Sequence, residues 1–520
     1  MTSGSAATTS DHSSYLLESE GVSRWIYILI GLSLTTVLLF PVPAVHFGVA
    51  GIFWIVYLTC YIRAPERTIL VFIVLFAAMK LIPKGTSPVP GVNFETIIIV
   101  MLGLAALLSR GRQRQPPPAN PMLTPVLFYA GLLLLSAVHS YWSGSAQGHQ
   151  PLLGYYPLPA GSIFPSAKNT FMSAFLAPIA FRLVWGPTQL RVVVRLVAWV
   201  TIIFSLEAIY QQWDAIAAGQ VGGLARLEGM WGGNPNLLGG YLALIVVVYA
   251  ALFISGKLRG FDRLLIVATL GVAGAALLFT FSRGSWLGAL VGMLYIALSR
   301  GAKSLIALAV LAFALAAWLP TEFIDRFQTT VDAGKGFAQD EVDVDRSART
   351  RLTQWGNLPG QWSEAPLIGH GFKSYGKVGG MFTRSGSAKA AHSTIVQMVV
   401  EEGLLGLIAY VWLIWALARG ARRVARESDD PFLSSLATGV VAAVVCLVLL
   451  DSSGTRLPNA SVMSYIWILG GSMARMASNL SLQGAPSAER PEVNPRATPA
   501  ARWQRARPLP GPSPDTSGAR

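Results

Sequence analysis

Asn236-Leu-Leu-Gly-Gly-Tyr-Leu-Ala-Leu-Ile-Val-Val-Val-Tyr-Ala-Ala-Leu-Phe-Ile-Ser255 contains no charged side chain. As a helix it rises about 30 Å, the thickness of a bilayer's hydrocarbon core. Lys257, Arg259 and Arg263 follow at once, and a second apolar run, Arg263–Phe281, carries the chain back. The same alternation extends in both directions. Upstream runs are Trp25–Val42, Pro43–Ile62, Thr68–Ile82, Asn93–Leu108, Pro121–Ser140, Asn169–Val184 and Leu190–Tyr210. Downstream runs are Ser285–Leu298, Ser304–Leu319, Thr394–Leu417, Phe432–Leu450 and Asn459–Met476. Several are short, so these fourteen runs predict an all-α, polytopic integral membrane protein of about 12–14 transmembrane helices.

Composition agrees. The 520 residues are 53% hydrophobic and 13% charged, with a mean hydropathy of +0.51. Soluble proteins carry about 25% charged residues, so a string of soluble domains is excluded. A net charge of +14 would suggest a nucleic-acid partner in a soluble chain. Threading from a cytoplasmic N-terminus removes that reading. Seventeen basic residues fall in the short inside loops, among them Arg110, Arg112, Arg114, Arg419, Arg422, Arg423 and Arg426. The short outside loops hold five: Lys84, Lys168, Arg226, Arg283 and Arg456. This excess is the positive-inside pattern. No nucleic-acid partner is expected.

The predicted organisation is a cytoplasmic N-terminal tail (1–24), an N-terminal transmembrane bundle (25–210) and a central transmembrane part (211–319). A long polar outside loop (320–391), C-terminal transmembrane helices (392–476) and a disordered basic cytoplasmic tail (477–520) follow. Met1–Glu20 lacks the basic and apolar regions of a cleavable signal peptide. Cys60 and Cys446 lie in apolar runs, which argues against a disulfide or thiolate metal site. No internal repeat or phosphate-cradling Gly-x-x-x-x-Gly-Lys-Ser/Thr motif is present. An ATP-driven transporter is thereby disfavoured, and a secondary transporter or flippase loses its expected repeat.

With the inside charges explained, the outside ones carry information. Arg226 precedes the span at Asn236, Arg283 sits in the tight turn Phe281-Ser-Arg-Gly-Ser-Trp-Leu287, and Arg349 and Arg351 lie in the long loop. A guanidinium is permanently charged and presents a planar fork to phosphate oxygens. Three converging would clamp a pyrophosphate; the plainer alternative for each is an interfacial, snorkelling arginine. His392 ends the loop, where an imidazole would serve as a general base near neutral pH or merely cap a helix. Glu401 and Glu402 follow on the predicted span, where a carboxylate must be paired or face water. Glu401 would orient an arginine from another span, or only mark the edge of the apolar core. Asp340, Glu341, Asp343 and Asp345 lack a Ca²⁺-loop pattern and read better as a solvated acidic turn than as a metal site.

These residues resemble the O-antigen ligase family. His392-Ser393, nine residues, and Gly403-Leu-Leu-Gly406 match its His-[Asn/Ser/Gln]-x9-Gly-x-x-[Gly/Thr/Tyr] pattern, with Ser393 in place of the commoner Asn. Gly369-His-Gly-Phe372 is similar to its Gly-x-Gly-Phe element, and Ser347-Ala-Arg349 with Trp355 to its Ser-Gly-Arg…Trp stretch. Asn234-Pro-Asn-Leu-Leu-Gly239 and Arg283-x3-Leu287 resemble two more of its elements. The resemblance covers about Arg226 to Arg419. It implies a lipid-donor (GT-C-like) glycosyltransferase architecture in the bacterial inner membrane, with the 320–391 loop and the active site periplasmic. The glycan would pass from undecaprenyl pyrophosphate to an acceptor hydroxyl, on lipid A core or on another lipid-linked repeat unit. His392 would be the general base, Arg226, Arg283 and Arg349 the pyrophosphate clamp, and Arg351 and Glu401 supporting residues. The family implies no metal and no cofactor. A polysaccharide polymerase and a protein-glycosylating relative share this donor chemistry, so both remain open.

Overall fold

The computed structural model describes residues 54–78, 93–109, 118–150, 154–157, 159–217, 227, 234–306, 308–310, 355–356, 358–381 and 391–484. After a helical stretch at 54–63 come α1 (Thr68–Ala78), α2 (Phe94–Leu108), α3 (Leu123–Ser143), strands β1 (Gln147–Gln150) and β2 (Gly154–Pro157), α4 (Ala160–Met172), α5 (Leu176–Leu183) and α6 (Pro187–Gln211). The central part is α7 (Pro235–Ser255), α8 (Gly260–Phe279) and α9 (Arg283–Arg300). Two short helices, α10 (Leu358–Glu364) and α11 (Tyr375–Met381), precede α12 (Thr394–Glu401), α13 (Gly403–Glu427), α14 (Pro431–Ser452) and α15 (Ala460–Gly484). Contacts group Met1–Ser478 as one unit; Asn479–Arg520 form a second, described only as far as the end of α15.

Six described helices are long and apolar enough to cross a membrane: α3, α6, α7, α8, α13 and α14. The fold is that of an all-α polytopic membrane protein. Among these six, α7 and α14 are the most buried, and glycines set how closely they pack. A Cβ at Gly439 of α14 would lie 2.8 Å from Val248 O of α7, and one at Gly292 of α9 would lie 2.7 Å from Val247. Small residues at helix interfaces drive such packing in lipid, where burying apolar surface gives no advantage. Leu264 and Val267 on α8, and Ile408, Val411 and Trp415 on α13, point outward, as lipid-facing side chains should.

The helix starts follow from local chemistry. Asn234, Asp430 and Ser393 cap α7, α14 and α12 by accepting N–H bonds from Asn236, Phe432 and Val396, and Pro occupies the first position of α7 and α14. Away from His392, Arg195 forks onto Asp262 at 2.6 and 2.9 Å. Arg191 meets Asp430 at 3.3 Å and lies 4.3 Å over the Phe432 ring. These contacts tie α6 to α8 and α14 at the end carrying Lys257, Arg259 and Arg263.

Three expectations change. The predicted span Thr394–Leu417 is two helices, broken at Glu402–Gly403 where Gly403 takes φ +65°. Asn169–Val184 is not one helix but the end of α4, a 3-10 turn at Ser173–Phe175 and the eight-residue α5. An antiparallel hairpin pairs β1 with β2, Gln147 opposite Pro157; its strands are too short and polar to show a two-residue apolar period. The runs Trp25–Val42 and, beyond Val310, Ser304–Leu319 lie outside the described residues.

Candidate functional site

His392 is exposed, in left-handed backbone (φ +48°), directly before the Ser393 cap of α12. A non-glycine residue there is uncommon and must be held by its surroundings. The residues around it supply the hold. Trp355 Nε1 donates to Ala391 O at 3.2 Å. Trp355 and Leu358 also pack on a buried cluster of Tyr375, Val378, Ala391, Val396 and Val400. On the other side Thr394 N donates to Gly454 O at 3.2 Å, and Ser393 Oγ to Asp451 O at 3.1 Å.

The glycine motifs form the base of this arrangement. Where α12 stops and α13 begins, helix-end C=O and N–H groups lose their in-helix partners. The segment Pro366–Phe372 satisfies four of them. His370 N and Gly371 N donate to Val400 O and Glu401 O at 2.9 and 2.8 Å. Leu404 N and Leu405 N donate to Pro366 O and Leu367 O at 2.9 and 3.2 Å. Gly369 (φ +68°), Gly371 (φ +97°) and Gly403 (φ +65°) permit this approach; a Cβ at Gly403 would lie 2.6 Å from Gly369 N. α3 and the turn after it hold the same segment: Ser140 Oγ donates to Phe372 O at 2.7 Å, and Ser145 Oγ to His370 O at 2.9 Å. Glu401 and Glu402, outside the six spans, are buried. Glu401 accepts from Gln397 Nε2 at 3.1 Å and Glu402 from Ser136 Oγ at 3.2 Å. Burial raises both carboxyls above the usual carboxylate range.

His392 opens onto a cavity of about 310 Å³ whose other walls include Asn234 and Asn236 at the start of α7 and Ser453, Arg456 and Asn459 between α14 and α15. Asp451 organises that last wall. Its Oδ1 accepts from Arg456 N at 2.9 Å, Leu457 N at 3.0 Å and Thr394 Oγ1, and its Oδ2 from Tyr410 OH at 3.3 Å. α9 begins beside the cavity, since Ser282 Oγ donates to Asn236 Oδ1 at 3.0 Å and a Cβ at Gly284 would lie 2.7 Å from Ser453 Oγ. Arg283 is the first residue of that helix, half-buried.

The described site therefore brings together His392 and the turn that carries Arg283. Glu401 is held by Gln397 and Tyr375 N and is not part of the cavity wall. Arg226, Arg349 and Arg351 lie outside the described residues. Asp451 and Asn459 have no place among the site residues read from sequence, and Arg456 enters that reading only as one of five outside charges. The available signals were an acid one residue past the apolar run ending at Leu450 and a lone outside arginine five residues later.

A helical bundle with spans long and apolar enough to cross a membrane, and a polar cavity lined by an imidazole, defines the class: an integral membrane protein with a candidate site at the ends of its helices. Residues 266–411 match the family model described as O-antigen ligase. This stretch is thus similar to the domain of a membrane glycosyltransferase-like family whose substrates are a lipid-linked glycan and an acceptor. The match takes in α9, α12 and His392; the cavity walls at 234–236 and 453–459 lie outside it. No curated protein matches the chain.

Proposed function

We propose that this protein transfers a glycan from undecaprenyl pyrophosphate to an acceptor hydroxyl at the periplasmic face of the bacterial inner membrane, with both chain termini cytoplasmic. The observation that carries the reading is His392, inside the O-antigen ligase match, exposed at the mouth of a polar cavity. Its imidazole takes the acceptor's proton as the hydroxyl oxygen bonds to the anomeric carbon. The bond from that carbon to the pyrophosphate breaks with its electron pair on the phosphate oxygen, so the configuration inverts. Arg283, at the start of α9, neutralises the departing charge together with Arg226 and Arg349, while Arg351 supports the clamp.

The test uses purified full-length protein, a lipid-linked oligosaccharide, and lipid A core, a second repeat unit or a protein as acceptor, without added metal. The product formed separates ligase, polymerase and protein-glycosylating activities. His392→Ala is expected to lower transfer by about 10²–10⁴-fold, the usual contribution of a general base, with membrane insertion intact. Full activity in that variant removes the general-base role.

A further inference from the structure

The cavity at His392 has a guanidinium in its wall. Arg456 lines it, although the residue is only 6% exposed. Two glycines from different elements make the slot in which the side chain lies. A Cβ at Gly240 of α7 would stand 2.7 Å from Arg456 Nε and 2.8 Å from its Cδ, and one at Gly454 would collide with the guanidinium itself. The backbone under it is fixed by Asp451, which accepts the N–H groups of Arg456 and Leu457. A fork enclosed in this way loses little rotamer freedom when a ligand arrives.

The rest of the wall specifies the ligand's chemistry. Asn234, Asn236 and Asn459 add neutral amides, and no carboxylate lines the cavity among the described residues. Arg456 therefore gives this wall its attraction for an anion, offset in part by the Asp451 carboxylate buried behind it. A volume of about 310 Å³ is at the small end of ligand sites, enough for the reacting end of a glycan-lipid and not for the glycan.

We infer that Arg456 binds the sugar-proximal phosphate of the pyrophosphate donor, which makes the His392 cavity the subsite for the bond that breaks. This rests on the transferase reading above. As the anomeric C–O bond cleaves, its electron pair passes to the phosphate oxygen, and the Arg456 N–H groups donate to that oxygen while the acceptor's proton goes to His392.

The experiment measures binding of farnesyl pyrophosphate to full-length protein in nanodiscs at fixed salt, alongside donor and acceptor KM. Arg456→Gln is expected to weaken binding at least tenfold and Arg456→Lys less, since lysine keeps the charge and loses the fork. Donor KM rises and acceptor KM holds. Unchanged binding in either folded variant overturns the inference. Misfolding of both, judged by gel filtration, overturns it too, because Arg456 would then be a structural residue. If the unaltered protein does not bind the probe, the transferase reading itself fails.

Discussion

Asp451 shows how one buried side chain sets the shape of the site. It accepts two backbone N–H groups and two hydroxyls, from three separate parts of the chain: Thr394, Tyr410 and the Arg456–Leu457 turn. Replacing it with alanine leaves those donors buried without their acceptor, each at a cost of about 1–3 kcal/mol before relaxation. Asp451→Ala is therefore expected to lose roughly 3–5 kcal/mol. Asp451→Asn keeps the Oδ1 acceptor for both N–H groups and turns an N–H₂ toward the Tyr410 oxygen, for a loss of about 1 kcal/mol. Thermal unfolding of the purified variants checks the order; equal losses would remove Asp451 from its organising role.

At the scale of elements, the joint between α12 and α13 fixes where His392 stands. Gly369 and Gly403 adopt left-handed backbone and face each other, so a methyl group on either meets main chain, which cannot swing aside. Gly403→Ala and Gly369→Ala are each expected to cost about 2 kcal/mol or more, combining the left-handed penalty with the clash. Gly271, within α8, has open space at its Cβ position. Gly271→Ala is expected to gain up to about 1 kcal/mol from helix propensity. The same unfolding assay compares the three, and a neutral Gly403→Ala would mean that the joint is not clamped. Sequence reading passed over this joint because apolar residues run through it on both sides, and a glycine can sit within a membrane helix. Two adjacent acids before that glycine, Glu401 and Glu402, were the physical sign of a break. Continuous spans such as α7 and α14 were legible because unbroken apolar length is itself the signal. The cavity was only partly legible: His392 and Asn234–Gly239 stand in motifs, whereas the slot around Arg456 pairs the nearby Gly454 with Gly240, far away in the chain.

For the whole molecule, helix direction sorts the charges. α7 and α9 start beside the cavity and run to Lys257 and Arg300, and α13 runs from the joint with α12 to Arg426. Single cysteines in a background with Cys60 and Cys446 replaced provide the check. Thr455→Cys is expected to react with a membrane-impermeant maleimide in whole spheroplasts, and Lys303→Cys and Ser428→Cys only after lysis. Labelling of all three from one side would refute the threading. One further consequence concerns order in time. Pro366–Phe372 leave the ribosome before the residues they clamp, since synthesis runs from the N-terminus. The mould for the α12–α13 joint is thus made before the helix that is cast against it. Inserting α13 completes a shape whose other half was already synthesised, so the cavity end of the fold draws on the polar segment before α12 and not on the greasy helices alone.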